Sequence, residues 1–151
     1  MILDSSGKLL AEGIKAQPTM IKPNRDEIVT LTGITSTDCQ QLVACAQKFQ
    51  KSGIAYVAIS LGCNGAILAC DEGVFLGTTP DIPVVNTVGC GDAMVAAFAV
   101  GFERGYRPAE LLRFALAVST ANALTVETGF YRQKDLHWLL EQCKVNEFEQ
   151  H

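Results

Sequence analysis

The chain has 151 residues, of which 12 are Lys or Arg and 16 are Asp or Glu, so its formal net charge is −4. Hydrophobic residues make up 48% of the chain, which excludes intrinsic disorder. The pI near 5.1 argues against a general nucleic-acid binder, because phosphate backbones require a basic surface. The longest apolar run, 93–102, is about half as long as the roughly 20 residues that a membrane-spanning helix needs.

Strand-like and helical segments alternate through the first half of the chain. Short apolar runs predict strands, and apolar residues at helical spacing predict helices. The predicted elements are strands at 1–4 and 19–22 with a helix at 8–15 between them, a helix at 26–31 and another from its cap at 37–38 to residue 51, strands at 56–61, 66–70 and 74–76, and helices at 93–104, 109–126 and 134–144. The three middle strands predict a β-meander. This order predicts a single α/β domain with a largely parallel sheet.

The cysteines do not form a recognisable metal-binding pattern. The six cysteines include no Cys-x-x-Cys pair, and the chain has only two histidines. A zinc site therefore has little support. No secretory signal precedes the first strand-like segment, so we expect reduced thiols in a cytoplasmic protein.

The most informative stretch is 85–97, in which a strand-like segment passes through Gly89-Cys90-Gly91-Asp92 into an almost wholly apolar helix. The two glycines allow backbone amides to converge on one point. That point lies at a helix N-terminus, where partial positive charge accumulates. The pattern is typical of an anion hole that stabilises a phosphoryl group during transfer. Asp92, in the first helical turn, could accept the proton of an attacking hydroxyl, as a kinase base does.

The same stretch also fits a purely structural reading. It would then be a tight strand-to-helix turn in which Asp92 is only a favourable acid at a helix start. Two other phosphate-binding loops are excluded by spacing. A dinucleotide-binding Gly-x-Gly-x-x-Gly loop would need glycine at position 94, which is Met94, and the Gly-Lys-Ser/Thr of a P-loop is absent.

Two further strand ends carry polar residues. The loop 60–65 follows the most apolar strand, at the kind of position where α/β sheets bind ligands. Taken alone, however, it is better explained as an ordinary β-turn. Asn24 and Glu27 lie three residues apart at a helix start, and their oxygens suit Mg²⁺ bound to phosphates. Taken alone, this pair is better explained as a capping box.

Taken together, the segments KPNRDE (22–27), SLGCNG (60–65) and NTVGCGDAMVAAFAVG (86–101) resemble the motifs of the ribokinase/PfkB-type carbohydrate kinase family, in the same order. The resemblance extends over nearly the whole chain. It is strongest with the branch of 1-phosphofructokinases and tagatose-6-phosphate kinases. It implies a ribokinase-like three-layer α/β/α sandwich, of which residues 1–151 form the C-terminal part with the ATP-binding site and the catalytic base. The family's N-terminal sugar-binding and lid part is missing here, and the opening strand at 1–4 leads us to expect a truncated chain.

The resemblance also implies roles for residues of the glycine turn. Asp92 corresponds to the catalytic base. Gly89, Cys90 and Gly91 correspond to the anion hole. Cys90 takes a position that usually holds Ala or another small residue, so we expect the backbone geometry to be kept.

Other residues are assigned by the resemblance to the nucleotide and its metal. Asn24 and Glu27 correspond to the pair that orients Mg²⁺ and the phosphates. Ser60, Gly62 and Gly65 correspond to the loop that runs along the nucleotide. ATP and Mg²⁺ are therefore the expected cofactors.

Two asparagines have less certain roles. Asn122 corresponds to a position that lines the adenine pocket in the family. A polar position on an exposed helix face explains it equally well. Asn86 stands where many members have Asp, as is typical of the phosphosugar branch.

The implied activity of the intact protein is transfer of the γ-phosphoryl group of ATP to a hydroxyl of a phosphorylated ketohexose, for which we favour fructose 1-phosphate. Tagatose 6-phosphate and the substrates of other PfkB-type sugar kinases stay open, as does a non-catalytic nucleotide-binding module. A Rossmann-type oxidoreductase is disfavoured by the glycine spacing. The expected partner is a small phosphosugar, with no nucleic acid and no membrane, and a homodimer stays open. The present chain alone is expected to be inactive.

Overall fold

The computed structural model describes residues 1–149. Its elements are β1 (Ile2–Leu3), α1 (Gly7–Lys15), β2 (Met20–Ile21), α2 (Arg25–Thr32), α3 (Cys39–Lys51), β3 (Tyr56–Ser60), a short 3₁₀ helix (Gly62–Asn64), β4 (Ala66–Cys70), β5 (Gly73–Thr78), α4 (Cys90–Glu103), α5 (Pro108–Ala123), α6 (Gln133–Gln142) and β6 (Lys144–Glu147). Within the described residues, six strands form one sheet whose spatial order follows the sequence from β1 to β6. The chain divides into two compact units. Of the described residues, the first unit holds 1–62, 66–76 and 147–149, and the second holds 63–65 and 77–146.

The first unit is built on the parallel part of the sheet. Strands β1, β2 and β3 run parallel, with Ile2 opposite Met20 and Met20 opposite Tyr56. Strand β4 returns antiparallel to β3, with Val57 opposite Ala69. Helix α3 packs against β3 and β4. Because the three parallel strands point the same way, the loops that follow them leave the sheet at one edge.

The core of the first unit consists of aliphatic side chains from the strands and from α2 and α3. Its most buried members are Ile21, Ile28, Leu42, Val43, Ala46, Ile54, Val57, Ile59, Ile67 and Ala69. Consecutive residues of β3, 57–59, are all fully buried, as expected of a strand covered on both faces. The continuous apolar run at 56–61 therefore correctly predicted a central strand.

The second unit is mainly helical. Helix α5 packs against both α4 and α6. It begins with Pro108 in its first turn, where a missing N–H costs nothing, and it is buried along most of its length. At the end of β5, Gly77 lies directly against Leu112 and Leu116 of α5, which leaves no room for a side chain at that position. None of the helices between residues 1 and 149 has the length and apolar character that crossing a membrane requires.

The predicted fold class is confirmed. Helices accompany a mixed sheet, its first three strands are parallel, and β3, β4 and β5 are successive neighbours as the predicted β-meander requires. The central strands were also placed correctly, with β3, β4 and β5 each lying within two residues of the predicted ranges. The alternation of strands and helices was therefore sufficient to give the class.

Three predicted boundaries in the second unit were wrong. Helix α4 begins at Cys90 rather than at 93, because the left-handed backbone of Gly89 allows the helix to start immediately after it. Helix α5 ends at Ala123 rather than at 126, and its last turn is tightened by a hydrogen bond from the Leu124 amide to the Ala121 carbonyl. The last predicted helix ends at residue 142, and strand β6 follows where no strand was predicted.

Candidate active site

The glycine turn before α4 forms a helix start without a side-chain cap. Gly89 is the N-cap residue, with φ +80°, and among the described residues no side chain accepts a hydrogen bond from the first amides of α4. A Cβ atom at Gly89 would lie 2.5 Å from Cγ2 of Thr128, so both the backbone and the packing require glycine. The first amides of α4 are thus left without a side-chain acceptor from residues 1–149.

The amides of the turn differ in whether they already have a hydrogen-bond acceptor within the chain. The Cys90 amide donates to the Thr87 carbonyl over 3.3 Å, and the Ala93 amide makes the first intrahelical hydrogen bond to the Gly89 carbonyl over 2.8 Å. The amides at the second and third helical positions have no intrahelical acceptor, as in any α-helix. The anion hole was predicted from the amides of 89–91. In the structure, the amide of Cys90 is engaged within the turn itself.

Asp92 lies at the third position of α4, in its first turn, and its side chain is exposed. A carboxylate there is stabilised by the helix dipole. The helix dipole would stabilise an acid with a purely structural role in the same way. Its exposure is what matters for chemistry, because a carboxylate turned into the protein could not receive a proton from a bound ligand.

The carbonyl side of the same turn is held by side chains of α5. The Ser119 hydroxyl donates to the Cys90 carbonyl over 2.9 Å, and Nδ2 of Asn122 donates to the Val88 carbonyl over 3.2 Å. Oδ1 of Asn122 accepts from the Gly129 amide over 2.8 Å.

Asn122 has only 1% of its surface exposed. The prediction of a polar position on an exposed helix face was therefore wrong, because the side chain points into the second unit, where its oxygen and nitrogen both form hydrogen bonds. This placement does not favour direct contact with adenine. The role that the resemblance gave Asn122 stays an untested prediction.

Asn86 also stabilises the turn. Its Oδ1 accepts from the Val88 amide over 3.0 Å, an Asx-turn that begins the bend. Its Nδ2 donates to the Val126 carbonyl over 3.1 Å, and its own amide donates to the Ala123 carbonyl over 3.1 Å. The turn is therefore tied at several points to the segment that follows α5.

The start of α2 is closed by its own side chains. Oδ1 of Asn24 accepts from the Glu27 amide and Oε2 of Glu27 accepts from the Asn24 amide, both over 2.8 Å, which is a complete capping box. The structural reading of this pair is thus confirmed. Among residues 1–149, no group of three or more His, Cys, Asp or Glu side chains could hold a metal ion. Oε1 of Glu27 lies outside the box, and a hard oxygen of this kind fits contact with hydrated Mg²⁺.

The structure brings Ser60 close to Asn24. These two residues form a parallel β-bridge, and the Ser60 amide donates to the Pro23 carbonyl over 3.0 Å. Two of the predicted site residues thus lie side by side at the carboxyl-end edge of the parallel strands. This is the edge at which open α/β sheets bind their ligands.

The rest of the 60–65 loop is compact. Gly62 has φ +61° at the start of the 3₁₀ helix, and Gly65, with φ +96°, lies directly against the Gly77 carbonyl. The Thr79 hydroxyl donates to the Cys63 carbonyl over 3.3 Å. The positive φ angles therefore favour glycine at both positions, and an ordinary turn without a binding role would favour it equally.

A family model described as "pfkB family carbohydrate kinase" matches residues 1–134. The chain belongs to this family. It is 35% identical over 150 residues to 1-phosphofructokinase from Haemophilus influenzae, an alignment that covers 99% of this chain and 48% of that protein. The chain thus spans about half the length of the curated relatives that it matches.

Solved structures of PfkB-type kinases have the same fold. Phosphofructokinase-2 from Escherichia coli, in complex with substrates and products, superimposes with a TM-score of 0.87 at 28% identity over 93% of this chain and 46% of that one. Ribokinase from Arabidopsis thaliana, in complex with ribose and ATP, gives a TM-score of 0.79 at 28% identity over 93% of this chain and 47% of that one. The resemblance to the ribokinase/PfkB family is therefore confirmed.

The sequence did not identify two polar residues of this PfkB fold. Ser119, on α5, is 8% exposed and bonds the Cys90 carbonyl. Lys22, immediately after β2, is only 6% exposed, and its Nζ lies 3.6 Å from Oδ1 of Asp4, which follows β1. Neither residue has a local sequence signal of its burial, since each contacts a residue far away in the chain.

Proposed function

We propose that this chain is the nucleotide-binding and catalytic-base part of an ATP-dependent 1-phosphofructokinase, which converts fructose 1-phosphate into fructose 1,6-bisphosphate. The observation that carries the proposal is the exposed Asp92 in the first turn of α4, beside a glycine-capped helix start without a side-chain cap. The choice among sugar kinases is supported by relatives named 1-phosphofructokinase at 30–35% identity.

In the proposed reaction, the oxygen of the sugar hydroxyl forms a bond to the γ-phosphorus of ATP, and Asp92 accepts the proton of that hydroxyl. The bond from that phosphorus to the β–γ bridging oxygen breaks, and ADP leaves. The amides of Gly89, Gly91 and Asp92 stabilise negative charge on the transferring phosphoryl group, whereas the Cys90 amide bonds the Thr87 carbonyl. Their fixed orientation is the contribution of the fold, because dipoles already in place need no rearrangement during transfer.

The family resemblance assigns residues of the first unit to the nucleotide and its metal. Ser60 and Gly62 lie at the edge where Asn24 begins the capping box, and we assign them, with Gly65, to the nucleotide loop. Asn24 and Glu27 would hold Mg²⁺ through water and through Oε1 of Glu27. When bound, the metal would neutralise charge on the β- and γ-phosphate oxygens.

Further properties of the intact protein are part of the same proposal. All six cysteines are free thiols, which supports a reducing, cytoplasmic location. The partner would be a small phosphosugar. A homodimer remains a prediction.

The substrate assignment is tested with the full-length protein that contains this chain. ATP and Mg²⁺ are supplied with fructose 1-phosphate, tagatose 6-phosphate, ribose or adenosine, and ADP release is measured for each acceptor. We expect the largest kcat/KM for fructose 1-phosphate. A larger value for tagatose 6-phosphate would move the assignment within the family, and NAD binding without ATP binding would reject kinase activity.

A further inference from the structure

The glycine turn before α4 is attached to one face of α5 through its carbonyl groups. Ser119 and Asn122 are three residues apart and therefore lie on the same face of the helix. Both are buried, with 8% and 1% of their surfaces exposed. The Ser119 hydroxyl donates to the Cys90 carbonyl, and the Asn122 amide nitrogen donates to the Val88 carbonyl, over 2.9 and 3.2 Å respectively. Two alternate carbonyls of the turn are thus fixed toward α5.

Fixing a carbonyl also fixes the amide that shares its peptide unit. In a planar trans peptide the C=O and the following N–H point in opposite directions. The Val88 carbonyl directs the Gly89 N–H away from α5, and the Cys90 carbonyl directs the Gly91 N–H away from α5. The amide between them, that of Cys90, is occupied by the Thr87 carbonyl. The two glycine amides are therefore the ones that α5 turns outward.

We propose that Ser119 and Asn122 are positioning residues for the anion-binding turn. They contact no ligand. They act through the Val88 and Cys90 carbonyls, whose orientation sets the direction of the two glycine amides. The inference rests on the proposed function, in which a phosphoryl group lies at this turn. It also explains why this chain buries a serine and an asparagine in an otherwise apolar helix face, since apolar residues would remove the donor from the Val88 carbonyl and leave the Cys90 carbonyl with only the hydrogen bonding of α4 itself.

The two polar atoms of Asn122 have separable tasks. Nδ2 orients the turn through Val88, whereas Oδ1 accepts from the Gly129 amide and so fixes the segment after α5. Asn122→Asp keeps an acceptor for Gly129 and removes the donor. Ser119→Ala removes the second donor with almost no change in volume, and Ser119→Thr restores a hydroxyl.

The matched control is Thr125→Val. The Thr125 hydroxyl is similarly buried, at 6% exposure, and its oxygen lies 2.8 to 3.2 Å from the carbonyl oxygens of Asn122, Glu127 and Phe130. It donates to one of them at a time, and none of the three belongs to the turn. Its loss should lower the melting temperature to a similar extent as Ser119→Ala. It should leave the glycine amides unchanged.

The experiment is a titration of the 151-residue chain with MgATP, followed by the ¹H–¹⁵N NMR signals of the Gly89 and Gly91 amides. In the wild type we expect both signals to shift. In Ser119→Ala and Asn122→Asp we expect altered signals before titration and a dissociation constant about three- to tenfold higher. Ser119→Thr should recover most of the affinity, and Thr125→Val should stay within about twofold of the wild type.

The outcomes separate the two proposals. If the wild-type amides respond to MgATP and the two donor variants behave like the wild type, the positioning role is wrong and the proposed function stands. If the wild-type amides do not respond at all, the proposed function fails at this turn, and the positioning role with it. Should Asn122→Asp fail to fold, Ser119→Ala and its threonine rescue still decide the question.

Discussion

The starts of α2 and α4 were both predicted to bind phosphate or its metal, but they differ in how the helix amides are used. Helix α2 follows strand β2, whereas the strand-like segment predicted before α4 was wrong, since no strand lies between Thr78 and Cys90. At α2, Asn24 and Glu27 close the end with a complete capping box. At α4, Gly89 takes the capping position and no described side chain replaces it. A motif that matches the family can therefore be explained by helix stability at the start of α2 and not at the start of α4. Of these two helix starts, that of α4 is the one whose first amides have no side-chain acceptor in the part of the chain that the structure describes.

This difference has a physical cost. A helix with glycine at the N-cap is less stable by only a few tenths of a kcal/mol than one with Asn, Ser or Asp at that position. At α4 the cost is offset by burial, because Met94, Ala97 and Phe98 of this helix pack inside the second unit. A largely apolar helix can therefore keep its first turn open for a ligand.

Gly89→Ala should have the largest effect on stability among changes at these helix starts. Alanine in the left-handed region costs about 1–2 kcal/mol, and the new methyl group would also collide with Thr128. Urea denaturation measures the loss. The control is Gly33→Ala, at φ +70° with no atom near the added methyl, which should show the backbone cost alone. Equal losses for the two variants would mean that Thr128 does not constrain the turn.

Asn24→Ala should lower the free energy of unfolding by about 1 kcal/mol, because it removes the cap of α2. Thermal or urea denaturation of the 151-residue chain measures this. Asn24→Asp keeps an acceptor for the Glu27 amide and should lose much less. If both variants were as stable as the wild type, the capping box would not contribute to stability.

Glu27→Gln separates the cap from the proposed metal role. Glutamine still accepts from the Asn24 amide, so the free energy of unfolding should change by less than about 0.5 kcal/mol. It removes the charge that would attract Mg²⁺, so the Mg²⁺ concentration needed for half-maximal ATP binding should rise several-fold. An unchanged Mg²⁺ requirement would mean that Asn24 and Glu27 act only as the capping box of α2.

Asp38, the N-cap of α3, offers the smallest effect and a pH test of capping. The Ser36 hydroxyl and then the Gln41 amide lower the pKa of its carboxyl below the usual 3.8. The Asp38 carboxylate therefore stabilises the folded state fully when the pH is above 3.8. This stabilisation is lost as the pH falls through the lower pKa of the folded state. Asp38→Asn keeps an acceptor and should show a weaker loss of stability below pH 4 in acid titrations followed by circular dichroism. Parallel titration curves would contradict this.

The two helix starts could be predicted from local sequence patterns. The side chains of α5 that bond the turn before α4 could not, because they reach it through tertiary packing. The Asn-x-x-Glu spacing predicts the capping box, and the Gly-Cys-Gly-Asp stretch predicts a turn into a helix, because each depends on neighbouring residues. Ser119 bonds a carbonyl 29 residues earlier in the chain, which depends on how α4 and α5 pack. No local pattern contains that information.

Strand β6 was missed for a different reason. Its residues, 144–147, are largely polar and exposed, so they lack the alternating or continuous apolar pattern that predicts a strand. Lys22 was missed because lysine is rarely buried, and its burial depends on Asp4 being brought beside it by the pairing of β1 with β2.

The central claim is that Asp92 receives the proton of the attacking hydroxyl at the open start of α4. The most direct test is Asp92→Asn in the full-length protein, with kcat for fructose 1-phosphate and the dissociation constant of MgATP measured on the same preparation. We expect kcat to fall by several orders of magnitude while the dissociation constant changes by less than about threefold, because the amide cannot take the proton but fills the same space. A kcat within tenfold of the wild type would contradict the claim.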